Sequence, residues 1–163
     1  GALLKPLKPA RTIRVVAFAN EEQGLWGGRA YADRYAGEVA RHVIAAESDF
    51  GAGRIYGFDS SARDTQPEAL RQIMQVLAPL GIEWLPKQGD PESDIGPLTE
   101  RGMAWAWLGH DGTHYFDLHH NADDTLDKID PKDLAQNVAA YAVFTYLAAE
   151  ADGDFGSAPK SEE

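Results

Sequence analysis

Three short runs in this chain carry the side chains that hold metals and move protons: Glu21-Glu22, Glu47-Ser48-Asp49, and His119-His120-Asn121-Ala122-Asp123-Asp124. Carboxylate oxygens and imidazole nitrogens are the set open to Zn²⁺ where thiolates are missing, and this chain has no cysteine. A catalytic zinc keeps one position for water and lowers its pKa, and a neighbouring carboxylate then takes the proton. Adjacent glutamates suit that division of labour. In extended backbone Glu21 and Glu22 point to different sides, so one can bind metal while the other acts as base. Taken singly, each run reads as a solvated loop; three together on one sheet edge read as the centre of a hydrolase.

The surrounding sequence supplies such an edge. Arg11–Phe18 (RTIRVVAF) is β-branched and apolar, as in a strand buried on both faces, and it ends in Asn20-Glu21-Glu22. A helical stretch at Arg29–Tyr35 leads to a strand at His42–Ala46, which again runs into acidic residues. Further strands are expected at Arg54–Phe58, Ile82–Leu85 and Met103–Leu108. A helix is expected over Pro67–Leu80, with Ile73, Val76, Leu77 and Leu80 on one side, and a short one over Ile95–Arg101. Gly109–Asp124 is a polar loop with four of the five histidines. Asp130 as N-cap, Pro131 at the first helical position and Asp133 in the first turn open a last helix reaching about Glu150. Alternating strands and helices specify an α/β sandwich around a mostly parallel sheet, whose ligands sit at the strands' carboxyl ends. We read residues 1–152 as one domain and 153–163 as a disordered tail.

Fifteen Lys and Arg against twenty-six Asp and Glu leave a net charge of −11, which disfavours nucleic acid and anionic membranes as partners. The longest apolar stretches, Ile13–Ala19 and Val138–Ala149, fall short of the roughly 20 residues of a membrane span. The start, Gly1-Ala2-Leu3-Leu4-Lys5-Pro6, lacks Met and any signal-peptide pattern, and reads as the continuation of something longer.

The segments RTIRVVAFANEEQGLWGGRAYA, AESDFGAG, SDIGPLTERGM and HHNADDTLDKIDP together resemble the C-terminal part of the zinc aminopeptidase and carboxypeptidase family of clan MH, peptidase family twenty-eight. The plasma glutamate carboxypeptidase branch is nearest, and the resemblance runs from Arg11 to Ala149. It implies a three-layer fold with helices on both faces of the sheet, N-terminally truncated. It also implies metal-dependent hydrolysis of peptides or dipeptides at a free N-terminus. By the same resemblance Glu21 is the general base and Glu22 a zinc ligand. Asp49 is a ligand by position, although Glu47 shares its face in an extended strand and stays in contention. The H-x-x-x-D-T spacing selects His120 as a ligand, with His119 pointing elsewhere and Asp124 orienting the loop. The Ser93-Asp94 pair is similar to the family's, but Ile95 follows it where the family often has His, so no metal role is carried over. The family's upstream His and bridging Asp precede RTIRVV, and this sequence begins after both. A complete site would hold two zinc ions, and this chain one or none.

Other residues have plainer readings. Trp26, beside Gly24, Gly27 and Gly28, and Tyr115, just ahead of His120, are candidates for bordering a substrate. Trp105 and Trp107 alternate in a strand and read as core, and His42 as structural. His110 and His114 are four apart, a metal spacing on a helix but not in a loop containing Gly112. Two alternatives to the peptidase stand: a peptidase-like module without catalysis or metal, and single-zinc acyl transfer of the glutaminyl cyclase kind. An incomplete sheet also favours self-association. Members of the family are commonly exported.

Overall fold

The computed structural model describes residue 2 and residues 4–158. Strands β1 (Ala45–Ala46), β2 (Ile55–Ser60), β3 (Glu83–Trp84) and β4 (Trp105–His110) form one sheet in the order β1-β4-β2-β3. The β1–β4 and β2–β3 pairs are parallel and the β2–β4 pair is antiparallel, so the sheet is mixed, with parallel pairing in the majority. Helices α1 (Trp26–Arg34), α2 (Pro67–Leu77), α3 (Gly96–Thr99), α4 (Tyr115–Leu118) and α5 (Pro131–Glu150) surround it. None of the helices is long and apolar enough to cross a membrane, among the described residues.

The side-chain alternation of β4 separates two apolar clusters. Ala104, Ala106 and Leu108 pack with Leu70, Ile73 and Leu77 of α2 and Ala140, Phe144 and Ala148 of α5. Trp105 faces the other way, against Ala32 of α1, Val39, Leu98 of α3 and Met103. Trp105 and Trp107 are therefore half-buried rather than core, because the inward positions of the strand belong to Ala106 and Leu108. On α2 the buried stripe is Leu70, Ile73 and Leu77, and Val76 turns outward, 47% exposed. A tighter turn over Ala78–Leu80 completes that segment.

Helix α5 begins as its residues demand: the Asp130 side chain accepts a 2.7 Å bond from the Lys132 amide, and Pro131 follows the cap. At its other end the Arg11 guanidinium donates to the carbonyls of Ala148 and Ala149 at 3.2 Å, Gly153 at 2.6 Å, and Ala151. That places a fixed positive charge on the negative end of the helix dipole and satisfies carbonyls the helix leaves open.

One expectation is corrected. Arg11–Phe18 is not a strand in the sheet: it pairs with no neighbour among the described residues, and Val15 is 79% exposed. The run is held at its ends, by Arg11 on α5 and by the Gly27 amide bonding the Ala19 carbonyl at 3.0 Å. β-Branched residues favour extended backbone, but a strand also needs a partner ladder. Residues 153–158, within the expected tail, pack against the rest of the chain. Phe155 is 1% exposed within the main cluster, and Ser157 bonds the Ala104 amide at 2.7 Å and the Val43 carbonyl at 2.9 Å. Burial of one aromatic and two backbone bonds favour the docking of this segment. Residues 159–163 of that expected tail lie outside the described residues.

Candidate metal centre

The backbone leaves the extended run through a turn at Asn20 (φ 59°), and the Glu21 carbonyl accepts from the Gly24 and Leu25 amides at 3.0 and 2.9 Å. The two glutamates thus sit in a turn that feeds α1, rather than in extended chain. Gly28, in the first turn of α1, lies against Asp94: a Cβ there would be 2.4 Å from the Asp94 carbonyl oxygen, so only glycine lets the two segments approach.

Ninety-eight positions on, the loop after α4 brings its histidines to this turn. His120 Nε2 and Glu22 Oε1 are 2.5 Å apart. The His119 ring stacks on His120 with centroids 3.6 Å apart and planes at 23°. Glu22, His119 and His120 each offer one ligand atom within 4.8 Å of the others. His119 does not point elsewhere, as sequence spacing suggested. His120 has φ 60°, and that left-handed step cancels the alternation of extended chain and swings successive rings to one side. Two imidazoles and a carboxylate, without thiolate, are a donor set that suits zinc, and all three side chains reach solvent at least in part, so the residues present fit that ion.

The other acidic run divides in two. The Glu47 carboxylate is engaged by backbone, accepting from the Asp94 amide at 3.1 Å and the Ile95 amide at 3.0 Å. Asp49 is exposed and stands outside the converging trio. Burial, and then the charges of Asp49, Glu22, Glu21 and Asp124, hold the Tyr115 hydroxyl above the usual phenol range. Phe50, next to Asp49, stacks on Tyr115 with centroids 4.1 Å apart, which ties the Asp49 loop to the histidine loop. Trp26 is 63% exposed at the start of α1.

Sequence reading missed the Glu92 carboxyl and gave Asp94 no role, and both are buried. Burial pushes the Glu92 carboxyl up to about 8, helped by the charges of Glu47, Asp90 and Asp49. Burial likewise raises Asp94, followed by the charges of Glu21 and Asp49. Glu92 Oε2 and Asp94 Oδ1 are buried without a hydrogen-bond partner among the described residues. The only signal for either was the S-D pair itself. His110 and His114 do not come together: His110 is buried on Asn137, and His114 is exposed beside Asp117. His42 is structural, bonded to the Tyr31 hydroxyl and the Glu38 carbonyl at 3.0 Å each.

A family model described as Peptidase family M28 matches residues 2–145. Carboxypeptidase Q from Mus musculus is 30% identical over 146 residues, covering 90% of this chain and 31% of that protein. The Bos taurus carboxypeptidase Q is 31% identical over 144 residues, covering 88% and 30%. The chain thus spans less than a third of the length of these relatives. The crystal structure of a Peptidase M28 precursor from Shewanella amazonensis superposes with a TM-score of 0.88 at 44% identity, over 96% of this chain and 35% of that one.

Proposed function

The chain belongs to peptidase family M28, a family of zinc-dependent metallopeptidases, and from that premise we propose that its residues serve hydrolysis of peptide bonds in substrates with a free N-terminus, dipeptides above all. The observation that carries the proposal is the meeting of Glu22, His119 and His120 across 98 positions of sequence, beside a Tyr115 hydroxyl on which the charges of Asp49 and Glu21 also act.

In this reading Glu22 and His120 would hold one zinc ion of a complete site, Asp49 would contribute to the other, and His119 is a further ligand within reach of the first. A zinc ion held there would supply Lewis acidity and lower the pKa of a water. Glu21, whose side chain carries no hydrogen bond or ion pair among the described residues, accepts the proton and delivers it to the departing amine. Tyr115 and Trp26 border the substrate, and Asp124 steadies the loop ahead of α5. The relatives are named carboxypeptidases. A dipeptide presents both termini to one site, so it meets both an amine requirement and that name.

The test is a calorimetric zinc titration of the chelator-stripped chain, with Glu22→Ala and His120→Ala alongside. Binding that each substitution weakens by about tenfold or more supports the reading. A folded chain whose zinc binding ignores both substitutions overturns it. Dipeptides with a free or an acetylated N-terminus then test specificity, with loss of turnover on acetylation as the expected result.

A further inference from the structure

The segment that follows β1, Ser48 to Gly53, carries Asp49 and has no regular structure of its own; it includes Gly51 in the left-handed region at φ 72°. Its position has to be imposed from outside. Helix α5 supplies the means on one face, through residues four apart. The Tyr141 hydroxyl donates to the Glu47 carbonyl just before the segment. Asn137 Nδ2 donates to the Gly53 carbonyl at 3.0 Å at its far end, and to Asp133 O at 2.8 Å. One residue back, Gln136 bonds both backbone groups of Ile55, accepting from the amide at 3.0 Å and donating to the carbonyl at 2.7 Å.

His110, at the end of β4, joins the two anchors. Its Nε2 lies 2.8 Å from Asn137 Oδ1, and its ring stacks on Tyr141 with centroids 6.2 Å apart and planes at 26°. With both Asn137 amide hydrogens donated, Oδ1 must accept, so His110 carries its proton on Nε2. Asn137 and His110 are 6% and 5% exposed. A buried Asn inside a helix is a poor choice for helix stability or core packing, and these bonds give it a use.

We propose that Tyr141 and Asn137, braced by His110, are positioning residues that clamp both ends of the 48–53 segment and so hold the Asp49 carboxylate at the metal mouth. The role of Asp49 as a ligand rests on the proposed function; the clamp does not. The experiment follows NMR backbone order parameters and cobalt(II) titration, read by visible ligand-field absorption, in the wild-type chain, Tyr141→Phe, Asp49→Asn and the double variant. Tyr141→Phe keeps the ring and its stacking on His110 while deleting one hydroxyl. Order parameters at residues 49–52 are expected to fall, with those of α2 unchanged. Cobalt affinity is expected to fall by roughly tenfold in the wild-type background and not at all in the Asp49→Asn background. Unchanged order parameters at 49–52 overturn the clamp, and an equal loss of affinity without Asp49 overturns its action through that residue. If the wild-type chain binds no cobalt while Tyr141→Phe still loosens the segment, the metal reading fails and the clamp is supported.

Discussion

Glu21 and Glu22 share one turn and differ in what they touch. Glu22 is committed to His120, whereas the Glu21 carboxylate accepts no hydrogen bond among the described residues and its charge acts on Asp94 and Tyr115. A base needs that freedom. Glu21→Gln is expected to leave zinc affinity within about twofold while cutting dipeptide turnover by roughly 10²–10⁴. Calorimetry and kinetics on one preparation check this, and a collapse of zinc affinity would make Glu21 a ligand instead. Glu92 gives a pH prediction. Burial, then the charges of Glu47, Asp90 and Asp49, raise its folded pKa from the ordinary 4.5 to about 8. The native state therefore holds a proton that the unfolded chain has lost, so this contribution to stability is full below 4.5 and declines until pH passes about 8. Glu92→Gln is expected to melt higher than the wild type at pH 8 and to flatten the decline below it, in metal-free protein. Equal melting temperatures at pH 8 would mean that the Glu92 charge is already accommodated.

At the scale of elements, the start of α5 was legible because capping is local: Asp130, Pro131 and Asp133 act within one turn. Asp130→Ala should cost about 1 kcal/mol in denaturant unfolding. The 153–158 segment was not legible, since its order comes from contacts with Val43, Gly102 and Ala104, far away in sequence. Phe155→Ala tests it directly. Removing a fully buried phenylalanine should cost about 3–5 kcal/mol, and a change near zero would mean that the segment is undocked in solution.

For the molecule as a whole, the extended run from Arg11 to Phe18 is the exposed feature with most consequence. It presents backbone with no strand partner among the described residues, beside Val15 and Val16, which are 79% and 38% exposed. Such an edge invites pairing with another copy, while a net charge of −11 opposes it. Self-association in sedimentation velocity is therefore expected to grow with salt, as screening weakens the repulsion, and to be suppressed by Val15→Lys. A chain that stays monomeric at high salt and high concentration would show that the run is protected.

What the sequence determined by itself is what neighbours along the chain decide: an α/β pattern, the cap of α5, and the residue types in the E-E turn and the H-x-x-x-D-T loop. These depend on local periodicity and side-chain chemistry, which spacing reveals. The tertiary structure decided the rest. Both histidines meet Glu22 because His120 takes a left-handed φ, and Glu47 is spent on the Asp94 and Ile95 amides while Asp49 stays open. The 48–53 segment is held by a helix that begins some eighty residues later. The free energy of each arrangement comes from contacts between residues distant in the chain, and no local pattern encodes which of several chemically suitable partners will meet.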